Sequence, residues 1–159
     1  MPVLRTASVT QMRRVDTTNS RTLQAIVTNS FERDIPIGAI CHGVIVAARS
    51  KLTNGKSVLY GRKTTALTRS LELTGWILTV AWLGNYYRTY PETVQNEVTA
   101  VLADSVHFEA GPLAFFRDSP THLNRGFTVR DGNYLSARWP GDAHRFAIDY
   151  ADMLLTKGQ

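Results

Sequence analysis

The chain has 159 residues, which suits one domain with one hydrophobic core and leaves little room for a second. Apolar residues make up 43% and charged residues 19%, a balance that excludes the disordered and fibrous classes. The net charge of +5 is scattered (Arg13, Arg14, Arg62, Lys63, Arg117, Arg125, Arg130, Arg138, Arg145), with no basic stripe interleaved with aromatics. It reads as a solvated surface with a weak preference for anionic ligands, not as a nucleic-acid interface.

In chain order, Met1 to Ser20 is rich in Thr, Ser and Arg and shows neither a sustained period nor the apolar stretch of a signal peptide. Leu23, Ile26, Val27 and Phe31 share one helical face, and Asp34 and Pro36 close that helix. Ile35 to Ile40 is a short apolar strand of the kind buried on both faces of a parallel sheet. Cys41 follows, and Val44 to Ala48 predict a second, buried helix. Asn54-Gly55 is a turn signal, and Ser57 to Tyr60 is a second strand candidate. Leu71 to Tyr87 predicts a helix apolar nearly all round, hence buried or at an interface, although its longest apolar stretch, Trp76 to Leu83, is too short to span a bilayer. Pro91 and Glu92 open another helix, with Val94, Val98, Val101 and Leu102 as its apolar face. Gly111 to Gly126 is a loop. Phe127 to Arg130 and Tyr134 to Arg138 are strands joined through Asp131-Gly132-Asn133, a hairpin signal. Asp142 is placed to N-cap a last helix with Ala143, Phe146, Ala147, Tyr150, Ala151 and Leu154 as its buried stripe.

Cys41 is the only cysteine, so no internal disulfide forms and a reducing cytoplasm is the expected compartment. Its surroundings, strand then Ala39-Ile40-Cys41-His42-Gly43 then helix, have the make-up of a nucleophile elbow, a sharp turn that needs small residues two before and two after the nucleophile. The N-terminus of the following helix is expected to favour the thiolate. The backbone N–H groups of His42 and Gly43 are candidates for an oxyanion site, and the His42 side chain is a candidate base. The bland alternative is a small buried hydrophobe, the usual fate of a lone cysteine.

At AICHG the chain resembles the ThiJ/PfpI family of the class I glutamine-amidotransferase-like superfamily. PIGAICHGVIVAARS resembles that family's elbow strand and helix, GKSVLYGRKTTALT the next strand and turn, and VRDGNYLSARWPGDAHRFAIDYADML the closing hairpin, turn and last helix. The resemblance spans residues 20–155, with residues 1–20 poorly matched; WLGNYYRTYPETVQNEV looks like the feature of a subgroup described only as type 1 amidotransferase-like. It implies a single domain over 1–159 with an α/β fold, a flavodoxin-like three-layer α/β/α sandwich with a mostly parallel sheet and a C-terminal β-hairpin. It further implies a cysteine-dependent hydrolase or lyase (protease or amidase, deglycase, or glyoxalase-like) in which Cys41 is the nucleophile, His42 its partner, and an acidic residue comes from an early strand.

Too little chain precedes Cys41 for the two βα units the family carries there, so the domain is expected to be N-terminally incomplete. The upstream acids Asp16, Glu32 and Asp34 look like helix-flanking surface residues, and none takes over the acid's role. The resemblance places Trp139, Pro140 and His144 near the elbow as pocket lining, against a plain reading of Asp142 and His144 as cap and exposed first turn. Tyr86, Tyr87 and Arg88, with Tyr90, form an aromatic–basic cluster that serves either as a pocket wall for an anionic or carbonyl substrate or as a surface cap on the core. His107 and His122 read as loop residues. No metal-ligand spacing and no nucleotide motif is legible, so no metal and no cofactor is expected. The expected partner is a small-molecule substrate, with no nucleic acid and no membrane, and a homo-oligomer is compatible with the apolar helix. The rival function is a catalytically impaired fragment, a redox sensor or an interaction module of the same fold.

Overall fold

The computed structural model describes residues 17–83 and 92–157. Ser20 opens the first helix by accepting the Leu23 N–H at 3.4 Å, and α1 runs Arg21–Glu32. Asp34, with a φ of 54°, turns the chain out of the helix into β1, Ile37–Ile40. One turn later α2, Gly43–Arg49, begins, and Val44 to Ala48 are all buried along it. Each aliphatic side chain so enclosed contributes about 1.5–3 kcal/mol of transfer free energy, which is why so short a helix is stable here. α3 spans Arg69–Leu83 and α4 spans Val94–Ala100, the latter capped by Thr93, whose hydroxyl accepts the Asn96 N–H.

The expected hairpin forms. β2, Thr128–Asp131, and β3, Tyr134–Ala137, pair antiparallel across a turn in which Gly132 has a φ of 60°. β1 pairs parallel with β3 in the register Ile37 with Tyr134 through Ile40 with Ala137. α5, Ala143–Lys157, closes the chain. The architecture is mixed α/β. α1 and α2 pack on one face of the sheet, where the Phe31 and Tyr134 rings lie 5.5 Å apart, and α5 packs on the other. On the α5 face, Gly38 is obligatory. A Cβ there would lie 2.7 Å from Phe146 Cζ and 3.1 Å from the Tyr150 ring, whose hydroxyl donates to the Pro36 carbonyl. Gly38→Val should therefore lower the melting free energy by about 1–3 kcal/mol through overpacking, read by urea denaturation.

Four expectations need correction. Among the described residues the sheet has three strands in the order β1-β3-β2, with one parallel and one antiparallel pair, so a mostly parallel sheet is not seen and β1 lies at an edge. Ser57 to Tyr60 is not a strand. Only the single antiparallel bridge Lys51 with Ser57 forms, closed by Val58 N–H to Ser50 O and Leu52 N–H to Lys56 O, and Tyr60 N–H to Ser57 O then turns the chain away. Along α3, where burial or an interface is expected, Ile77 and Leu78 are 63% and 65% exposed, so burial within the chain does not hold for them. Along α5 the expected stripe is divided. Phe146 and Tyr150 are half-buried and Met153 is buried, whereas Ala143, Ala147, Ala151 and Leu154 face solvent.

Candidate active site

The parallel pairing of β1 with β3 brings their carboxyl ends together, the usual place for function in such sheets. The Cys41 N–H donates to the Ala137 carbonyl at 3.0 Å, so the ladder fixes the residue that follows β1. Cys41 has a φ of 58°; with Asp34 it is one of two non-glycine residues of positive φ among those described. That left-handed conformation costs roughly 1–2 kcal/mol for an ordinary L-residue. The chain re-enters a helix at once, with the Val44 and Ile45 N–H groups donating to the Cys41 and His42 carbonyls. Ala39 is buried and does need to be small, but a Cβ on Gly43 would meet nothing within 4 Å, so crowding is not what keeps position 43 small.

The sulfur lies 3.4 Å from His42 Nδ1. Burial, the largest influence, raises the thiol above its ordinary pKa; the His42 backbone N–H bonded to the sulfur pulls it down, and the charge of Glu72 pushes it further up. The expectation of a resting thiolate is thus corrected, because desolvation outweighs the helix-terminal N–H. The neutral thiol thus has an imidazole nitrogen, His42 Nδ1, in contact with it.

Glu72 was not legible as part of this site. It is 7% exposed in the first turn of α3, its Oε2 accepts the Val94 N–H at the start of α4, and its charge reaches the Cys41 sulfur. The one available signal was a lone carboxylate in an otherwise apolar helix. Asp16 lies outside the described residues, and Glu32 and Asp34 are exposed.

Asp142 is not the cap of α5. It is fully buried and grips Arg138: Oδ2 accepts from Arg138 Nε at 3.0 Å, Oδ1 from Arg138 Nη2 at 2.8 Å and from the Phe127 N–H at 3.1 Å. Arg138 Nη1 in turn donates to the Pro112 carbonyl. The segment after β3 is therefore a staple that holds two loops to the end of the sheet. Capping of α5 falls to Asp118, which the sequence did not single out. Its carboxylate accepts the Arg145 N–H at 2.7 Å, the His144 N–H at 3.3 Å, and meets His144 Nδ1 at 3.1 Å. Burial works to raise the Asp118 carboxyl, but these bonds outweigh it and hold it below its ordinary value. A carboxyl lowered by folding adds stability above its unfolded value of 3.8, and that stability is lost as the pH falls through the lower folded value. Asp118→Ala should cost about 1–3 kcal/mol at neutral pH, and urea melts should show the deficit shrinking as the pH is taken down from 3.8.

His144 is thus committed to Asp118, half-exposed, with no bond to the cysteine turn among those seen. Trp139 is half-buried, its Nε1 buried without a partner, and its ring fills the space where a side chain on Gly141 would stand. Pro140 is exposed. Tyr86, Tyr87, Arg88 and Tyr90 lie outside the described residues. Among the described residues no His, Cys, Asp and Glu cluster could hold a metal ion, and no helix is long and apolar enough to cross a membrane.

No family model matches the chain, and no curated protein does. Solved structures do. Glyoxalase III from Candida albicans is similar with a TM-score of 0.60 and 22% identity, over 87% of this chain and 51% of that one. The Rapid Encystment Protein 24 KDa from Francisella tularensis is similar with a TM-score of 0.64 and 18% identity, over 88% and 52%. A further crystallographic structure reaches a TM-score of 0.68 at 21% identity, over 90% and 55%. The chain spans about half the length of each of these three structures, and over that half it shares the fold of glyoxalase III.

Proposed function

We propose that this chain is the nucleophile-bearing part of a cysteine-dependent hydrolase or lyase of the ThiJ/PfpI type, acting on a small carbonyl or amide substrate. On this reading residues 1–159 form one domain, related to the flavodoxin-like α/β/α sandwich, in a reducing cytoplasm. The observation that carries it is Cys41 held at positive φ between a strand and a helix with His42 Nδ1 3.4 Å from its sulfur. In the first step the thiol proton passes to His42 Nδ1 and the sulfur bonds to the carbonyl carbon. The carbonyl electron pair moves onto oxygen, where the Gly43 N–H is the donor at hand, joined by the His42 N–H once that group leaves the sulfur. Among the described residues, Glu72 is the acid whose charge acts on Cys41. Its charge opposes a lone thiolate and favours keeping the proton nearby, on imidazole or thiol. The similarity to glyoxalase III supports an α-oxoaldehyde as the first substrate to try.

The test is turnover of methylglyoxal, followed as loss of the dicarbonyl, together with hydrolysis of a simple amide or ester. The reading expects activity on one of them that Cys41→Ser abolishes; activity unchanged in that variant, or none on any of them, overturns it. The second reading, an impaired fragment or interaction module, is favoured by the edge position of β1 among the described residues, since the open edge of a strand is a place for another chain to add. A redox-sensing role has less support, because a thiol raised by burial is a poor target for oxidation at neutral pH.

A further inference from the structure

At the same end of the sheet as the cysteine turn, a cavity of about 210 Å³ opens between the start of α3 and the loop before Asp118. Thr68, Leu71, Thr74, Pro112, Leu113 and Phe115 form most of its wall, with Arg138 at one side. Neither Cys41 nor His42 is in that wall, so the cavity is a side pocket. Three relations set it at the same end of the sheet as the sulfur. Arg138 directly follows Ala137, whose carbonyl accepts the Cys41 N–H. Leu71 directly precedes Glu72, whose charge reaches the thiol. Pro112 is held by its carbonyl to Arg138.

The chemistry of the wall is selective. Arg138 is the only formal charge on it, and that charge is met by both oxygens of Asp142. The cavity thus offers an anion no unpaired cation; its other polar groups are the hydroxyls of Thr68, Ser70 and Thr74. By volume this open cavity has room for a single ring or a branched alkyl group, benzene fitting a cavity of about 150 Å³. Gly111, with a φ of 68° and its Cα packed under the Phe127 ring, fixes the loop end that forms the outer wall.

We propose that this cavity is the subsite for a neutral, apolar side chain, a single ring or branched alkyl, of the carbonyl substrate that Cys41 attacks. The inference rests on the reading of Cys41 as a nucleophile, and its test separates the two. The full chain is alkylated with iodoacetamide, N-butyl iodoacetamide and N-benzyl iodoacetamide, and the Cys41 rate is read by intact mass. Each native rate is divided by the rate of the same reagent with the urea-unfolded chain. The subsite predicts a normalised N-benzyl rate about tenfold above that of iodoacetamide, the lower end of what a fitted apolar group gains. Ala114→Trp and Leu113→Trp, the second at a 71% exposed position that tolerates bulk, should each remove that gain. Equal normalised rates, or a gain that survives in both folded variants, overturn the subsite alone. A native Cys41 inert to all three reagents overturns the nucleophile and the subsite together.

Discussion

Arg138→Ala should unfold the protein more readily by about 3–5 kcal/mol, the usual cost of removing one partner from a buried ion pair. The Arg138 and Asp142 side chains are 1% and 0% exposed. Without the guanidinium, Asp142 keeps only the Phe127 and Arg138 backbone N–H groups, and the Pro112 carbonyl loses its donor. Asp142→Ala should cost a similar amount, because it strands a buried cation and the Phe127 N–H together. The double variant should fall well short of the sum of the two, since each single change already breaks the same bonds. Urea denaturation of the three variants measures this directly. Additive losses would mean that Arg138 and Asp142 stabilise the chain independently rather than as one staple.

His42→Ala should slow the alkylation of Cys41 near neutral pH, and should slow any turnover that depends on it by about 10²–10⁴-fold, the range for loss of a general base. The sign of the pH effect follows from the thiol. Folding raises its pKa above the ordinary 9.0, so without a base the reactive thiolate appears only as the pH climbs past that value. The variant's rate should therefore keep rising through pH 9, while the parent, assisted by imidazole, should already react at lower pH. A variant with the parent's pH profile would show that the 3.4 Å contact moves no proton.

The parts of this fold that could be read in the sequence are those in which neighbours along the chain settle the matter. The continuous apolar run before Cys41, the five apolar residues from Val44 and the Asp131-Gly132-Asn133 turn each name their own structure. Val58, Leu59 and Tyr60 misled because apolarity marks burial, and Val58 and Leu59 are indeed buried, yet a strand also needs a partner, which only the tertiary structure supplies. The α5 stripe misled for a related reason. Helical spacing says that Ala147, Ala151 and Leu154 share a face, not that anything covers it. At the site, the strand, turn and helix around Cys41 were legible, and the groups that act on them from a distance were not. Glu72 lies 31 positions on from the cysteine and Asp118 reaches α5 from a loop 26 residues earlier than His144. No local pattern encodes either.

The left-handed backbone at Cys41 has a bearing on how this chain would drift if its chemistry were idle. Glycine is the residue that relieves such a turn, and asparagine or aspartate sit there more easily than cysteine does. Every step that repairs the local strain also deletes the sulfur. Stability and reactivity are thus opposed at one codon, and a cysteine at position 41 is the costlier of the residues the backbone would accept.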